Sequence, residues 1–236
     1  MNNKKGFFCF SPPVMIATFF IEIFGAIYAI LRYKMDAVGR LVVAILVCLG
    51  VFQLAEYMIC EVIALPGLTW SRIGYVAITL LPPLGISLTM ALAGKKSLKA
   101  QVALYSFAAI FMAFFLLVRD SITGQVCCGN YVFFDMMPGS VHFYAAYYYG
   151  LLGLGVYLAM KWRGESKELK TRKALFALAI GYMTFIIPTT AVNIINPETI
   201  RAIPSIMCGF AVLLAIALIG QVLPNGGTLR KASKKQ

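Results

Sequence analysis

The stretch "FQLAEYMICE", residues 52–61, sets Gln53, Glu56 and Glu61 inside an otherwise apolar run. Gln53, Glu56 and Cys60 are spaced by three and four, so in a helix they share one face. Tyr57 adjoins them, and Glu22 stands near the middle of a second apolar run, residues 12–31. An ionised carboxylate in hydrocarbon costs at least about 2.5 kcal/mol, so both glutamates are expected to turn inward, away from lipid. Two roles suit the set. Glu22, Gln53, Glu56 and Tyr57 either satisfy one another and glue helices together, each bond being worth about 0.6–2 kcal/mol, or they form a ligand or proton site.

The cysteines suggest a second chemistry. Cys9 precedes the first apolar run, Cys60 ends the second, and Cys127 and Cys128 are adjacent in "RDSITGQVCCGNYVFFDMMPGSVHFY". If these four face an oxidising compartment they favour disulfides, and a link from Cys9 to the Cys127–Cys128 pair is the preferred expectation. Cys127, Cys128 and His142, the only histidine, are a conceivable zinc ligand set. They lack the usual C-x-x-C spacing, so no metal is expected, and no cofactor either.

The elements that must carry these residues follow from composition. With 61% apolar and 13% charged residues over 236 positions, the chain exceeds an ordinary soluble domain. A membrane-spanning helix needs about 20 mostly apolar residues. Seven such stretches can be read, at about 12–31, 41–63, 72–93, 101–118, 140–160, 173–195 and 202–223. The expected fold is therefore an all-α polytopic membrane protein, a single seven-helix domain over residues 1–236 in a cell membrane. No signal peptide is evident, since residues 1–11 offer no separate apolar stretch.

The formal charge of +12 sorts by loop. Sixteen of the 21 basic residues fall on one side: Arg32, Lys34 and Arg40; Lys95, Lys96 and Lys99; the cluster between Lys161 and Lys173; and the tail "LRKASKKQ". Lys4, Lys5, Arg72, Arg119 and Arg201 fall on the other. The positive-inside rule then places the N-terminus outside and the C-terminus in the cytoplasm, with the tail resting on anionic lipid headgroups. This arrangement reads as topology rather than nucleic-acid binding, which would need base-reading or stacking elements.

With that orientation the second span runs outward. At about 1.5 Å per residue, Gln53 lies at or past the midplane and Glu56 beyond it. Pro82 and Pro83 in the third span and Pro188 in the sixth remove backbone bonds. Kinks beside a carboxylate stripe predict an interior cavity, and the carbonyls they free need new partners. Gly150, Gly153 and Gly155 in the fifth span read as helix-packing sites. The aromatic residues of the long loop and after it, Tyr131, Phe133, Phe134, Phe143, Tyr144 and Tyr147–Tyr149, fit an interfacial belt or a lid.

Several chemistries are excluded. Residues 202–223 hold no lysine for a retinal Schiff base, so the chain is not a retinal protein. A single histidine gives neither a three-histidine zinc site nor bis-histidine haem ligation. No G-x-S-x-G turn or phosphate-cradling glycine loop occurs.

Cys9-Phe10-Ser11, "QLAEYMI" and "SIMCGFAVLLA" (205–215) resemble a family of uncharacterised bacterial seven-helix proteins that begin Met-Cys-Phe-Ser and carry Gln-x-x-Glu-Gly in their second helix. Tyr57 stands where that family has glycine, and eight residues precede Cys9. Position by position the resemblance points to Cys9, Ser11, Gln53, Glu56 and Cys208. The proline of the third span, the basic loop and "TRKALFALAIGYMTFIIP" are also similar to the seven-helix sensory module of bacterial histidine kinases. This likeness implies a sensor in the bacterial inner membrane, here without a transmitter of its own, signalling to a cytoplasmic partner at the basic 161–173 loop. The leading expectation is thus a receptor-like ligand-binding subunit with an outward polar pocket formed by Glu22, Gln53, Glu56 and Tyr57. The alternatives are a proton-linked transporter or channel using Glu22 and Glu56, although no internal repeat is seen, and a membrane enzyme with thiol or lipid chemistry.

Overall fold

Hydrocarbon offers the backbone no hydrogen-bond partner, so a long apolar stretch satisfies its own N–H and C=O groups as a helix. The computed structural model describes residues 12–61, 64–127 and 131–230. Among them, seven helical stretches are long and apolar enough to cross a membrane. The chain is a multi-pass membrane protein. Its helices are α1 (Pro12–Arg32), α2 (Ala37–Glu61), α3 (Gly67–Thr79), α4 (Leu81–Leu92), α5 (Leu98–Leu117), α6 (Ser140–Glu165) and α7 (Leu169–Ile195). The seventh span is composite: a 3₁₀ turn (Pro197–Ala202), α8 (Ile203–Ala217), a π-helical turn (Leu218–Val222) and α9 (Leu223–Gly226).

Helices α2 and α5 begin earlier than apolar content alone indicates, because polar residues cap them. Asp36 Oδ1 accepts the Gly39 N–H at 2.9 Å, and Ser97 Oγ accepts the Ala100 N–H at 3.3 Å. Each satisfies a donor that the first helical turn leaves free.

The spans form a ring in which α1 packs on α2, α2 on α3 and α4, α4 on α6, α6 on α7, and α7 on α8. Contact of α8 with both α1 and α2 closes it. The third span is the most enclosed, 83% of its central window being buried, and α5 the least at 17%. The α3–α4 unit is therefore the core element, while α5 flanks it on the lipid side.

The third span breaks where its prolines require it. Leu80 separates α3 from α4, and Pro82 and Pro83 occupy the first turn of α4. Pro83 has no N–H to offer the carbonyl four residues before it, that of Thr79. The Tyr147 hydroxyl of α6 donates to that carbonyl at 2.7 Å. Helix α7, by contrast, continues through Pro188 to Ile195.

The expectation of an all-α fold needs one amendment. The long loop folds into an antiparallel hairpin, β1 (Ile122–Cys127) with β2 (Val132–Met136). Gln125 pairs with Phe134, Val126 with Phe133 and Cys127 with Val132. β-Branched and aromatic residues favour this pleated arrangement, and Ile122, Val132 and Phe134 bury their side chains in the bundle. The aromatic belt is amended with it: Tyr144 and Tyr148 of α6 are buried, whereas Phe143 is 75% exposed.

The glycine reading of α6 is also corrected. Of the three, Gly155 is packed, against Ile86 and Tyr182 at 3.7 and 3.8 Å from an added Cβ, while no atom of the described residues lies within 4 Å of one at Gly150 or Gly153. At the end of the bundle opposite the hairpin, the Lys34 N–H donates to the Thr228 carbonyl at 2.7 Å, and the Arg230 N–H to the Arg32 carbonyl at 3.0 Å. Residues 231–236 of the basic tail lie outside the described residues.

Candidate functional site

The α2 face bearing Gln53 and Glu56 turns inward between α1 and α8. Glu22, Gln53 and Glu56 are each at most 1% exposed. Gln53 Nε2 donates to the Cys208 carbonyl at 2.8 Å, which joins the midpoint of the second span to α8. The Glu22 and Glu56 carboxyls lie close enough to interact electrostatically with each other and with the Cys208 thiol. Tyr75 of α3 completes the surround.

Both carboxyl oxygens of Glu22, and Oε1 of Glu56, are buried without a hydrogen-bond partner among the described residues. A buried polar atom left unpaired costs about 1–3 kcal/mol, so a fold retains such groups for a reason other than rigidity. The glue reading had Glu22, Gln53, Glu56 and Tyr57 satisfying one another. Gln53 instead bonds across to α8, and Tyr57 is half-buried against apolar side chains.

Ser205 links this cluster to the hairpin. Its Oγ accepts the Val132 N–H at 3.0 Å, and its hydroxyl lies within hydrogen-bonding reach of the Glu56 carboxyl. One turn along α2 from Glu56, Cys60 forms a disulfide with Cys127, the two Cα atoms being 5.6 Å apart. Cys127 of the adjacent pair is thus taken by Cys60; the expected link from Cys9 to the Cys127–Cys128 pair falls on Cys9 and Cys128, which, with Ser11, lie outside the described residues. The disulfide also withdraws Cys127 from the conceivable zinc set, and His142 is exposed on α6. No group of three potential metal ligands assembles among the described residues. Of the remaining described cysteines, Cys48 and Cys208 are free thiols, with Cys208 buried.

The hairpin is fastened at a third point, where Arg201 of the 3₁₀ turn pairs with Asp135 of β2 and lies 5.8 Å over the Phe133 ring. Beneath it is a cavity of about 40 Å³ lined by Tyr75, Phe134, Met136, Tyr144, Tyr148 and Arg201, among others. Phe134 meets Tyr75 edge-on at 5.2 Å, and Thr79 Oγ1 shares a hydrogen bond with the Tyr144 hydroxyl at 3.1 Å. A smaller cavity of about 20 Å³ runs inward past Leu81, Tyr148, Tyr182, Phe185 and Cys208. It touches the proline break through Leu81 and lies one turn from Pro188 through Phe185. Both cavities have mainly apolar walls, and neither is lined by Glu22, Gln53, Glu56 or Tyr57; Tyr75 in the larger and Cys208 in the smaller stand between them and the carboxyl cluster.

Sequence reading gave no site role to Tyr75 or Ser205, set Tyr144 and Tyr148 in a belt or lid, and used Arg201 only for topology. The i,i+4 spacing of Tyr144, Tyr148 and Leu152 marks one inward face of α6, and Ser205 precedes Cys208 by three on the same face of α8. No local signal ties Arg201 to Asp135.

Residues 14–224 match the family described as the N-terminal 7TM region of histidine kinase. No curated protein matches the chain.

Proposed function

The chain belongs to the family of the N-terminal 7TM region of histidine kinase, and from this membership and the buried carboxyl cluster we infer that it is a membrane sensor. In this reading the hairpin end faces outward and the basic end faces the cytoplasm, a placement the distribution of Lys and Arg supports, and the membrane is the bacterial inner membrane. A small ligand enters beneath the hairpin, packs its apolar body against Tyr75, Tyr144 and Tyr148, and presents a polar group to Glu56 and Glu22. The observation that carries this reading is the set of three buried, unpartnered carboxyl oxygens, linked to the cavity by Tyr75, which interacts with Glu56 and lines the space beneath the hairpin. Binding would supply the missing hydrogen bonds and shift α2 relative to α8, because the Gln53–Cys208 bond and the Ser205 hydroxyl join those helices. Helices α7 and α6, next around the ring, carry the shift to the exposed basic segment 161–173, where a cytoplasmic partner receives it.

The test is native mass spectrometry of the protein released from lipid nanodiscs, comparing wild type with Glu56→Gln. A non-phospholipid adduct present in wild type and lost in a variant of unchanged melting temperature supports the pocket. An adduct retained in the variant, or a variant that only melts earlier, returns the cluster to a structural role.

The facing carboxyls also favour a second reading, proton-linked transport through Glu22 and Glu56. Proton flux in proteoliposomes that disappears in Glu22→Gln would establish it. The thiol-enzyme alternative gains nothing from Cys60 and Cys127, which are joined to each other.

A further inference from the structure

At the basic end, α5 and α6 splay apart. They meet toward the hairpin, where the Phe111 ring lies 4.8 Å from Tyr147 and 5.4 Å from Tyr144. Further along, the Tyr105 hydroxyl shares a hydrogen bond with Ser87 of α4 at 3.3 Å and closes the wedge between them. Beyond that point no side chain of the described residues fills the gap, and a groove of about 410 Å³ opens. Ile86 and Met90 of α4 form its floor, Ala103 and Leu104 of α5 one wall, and Leu154 and Leu158 of α6 the other. Its mouth is different in kind, since Lys95, Lys96, Ser97 and Trp162 stand there. Lys95 is held by Glu165 at 3.5 Å, and Lys96 is exposed and has no ion-pair partner among the described residues.

We propose that this groove is a binding site for one anionic phospholipid, its acyl chain lying between α5 and α6 and its phosphate on Lys96 and Lys95. The apolar walls alone would not select a lipid, because bilayer tails are as apolar as leucine. Selection comes from the two lysines and Ser97 at the depth where Trp162 marks the interface. The length matches: from Trp162 to Leu154 is eight residues of helix, about 12 Å, enough for the upper part of one acyl chain. Splayed helices would otherwise close on each other, so the lipid acts as a wedge that keeps α5 apart from α6. The site is separate from the carboxyl cluster, and it stands or falls independently of the sensor reading.

The experiment uses the full chain in nanodiscs of phosphatidylglycerol and phosphatidylcholine in equal parts, read by native mass spectrometry. One phosphatidylglycerol is expected to be retained in preference to phosphatidylcholine. Removing both lysines in K95A/K96A should lower that preference about 25-fold, each headgroup-level lysine being worth about fivefold. Ala103→Trp, which fills the groove while leaving the lysines in place, should expel the lipid. A tail-diazirine phosphatidylglycerol should crosslink within 100–104 and 154–158. Equal retention of the two lipids by wild type, an unchanged preference in K95A/K96A, or crosslinks spread evenly over all lipid-facing helices overturns the proposal. Saturable binding of inorganic phosphate that survives Ala103→Trp would mark an ion site and overturn it too. Lys96→Ala lies on an exposed connection and leaves packing untouched, so it decides the matter if Ala103→Trp does not fold.

Discussion

Glu56 and Cys60 stand one turn apart on α2 and reach the same rung of the hairpin by different routes. Cys60 is joined to Cys127 at the end of β1. Glu56 lies beside Ser205, whose Oγ accepts the N–H of Val132 at the start of β2. Cys127 and Val132 are cross-strand partners. A displacement of the hairpin is therefore transmitted to α2 at the disulfide and to the carboxyl through Ser205, while Phe134 of the same hairpin lines the cavity.

Ser205→Ala is expected to leave the Val132 N–H buried without an acceptor, at about 1–3 kcal/mol. Amide hydrogen exchange should then accelerate at 131–136 while α6 and α7 keep their protection. Unchanged exchange in the hairpin would show that the serine does not hold it.

Opening the disulfide by Cys60→Ser should lower stability by about 2–4 kcal/mol, since it closes a sequence separation of 67 residues. Peptide mapping without reductant should yield one crosslinked species containing residues 60 and 127. Labelling of Cys60 by a maleimide before reduction would contradict the pairing.

The bond between Tyr147 and the Thr79 carbonyl exists because Pro83 frees that carbonyl. Tyr147→Phe is expected to cost about 0.6–1.7 kcal/mol, the range for hydrogen bonds between membrane helices. In a Pro83→Ala background, where the backbone N–H is restored, the same change should cost less. Equal costs in the two backgrounds would separate the tyrosine from the proline.

At Gly85 an added methyl would overlap the Tyr182 hydroxyl. Gly85→Ala should destabilise the protein by about 1–3 kcal/mol through overpacking, with Tyr182→Phe recovering part of the loss. Melting temperatures of the two single variants and the double variant test this. Additive losses would place the strain elsewhere.

Much of the fold was legible because the signals for it are local. Run length marks the seven spans, the spacing of Gln53 and Glu56 puts them on one face, and the cost of a carboxylate in lipid turns that face inward. Pro82 and Pro83 likewise mark the break between α3 and α4. The hairpin was hidden because its strands are short and flank adjacent cysteines, a pattern equally compatible with an irregular loop. Burial of Tyr144 and Tyr148 was hidden for another reason, since tyrosines near a span's end suit a headgroup belt as well as a core.

The sequence by itself determined a seven-helix membrane protein with an inward carboxyl stripe and a strongly basic end, because helix formation, burial cost and charge sorting depend on each segment and its solvent. Only the tertiary structure decided what the stripe meets. Gln53 and Cys208 are 155 residues apart, Cys60 chooses Cys127, and Ser205 faces both Glu56 and Val132. Such pairings follow from how each helix is rotated and which neighbour closes the ring. Helical periodicity says which side of a helix is buried and is silent about what is placed against it.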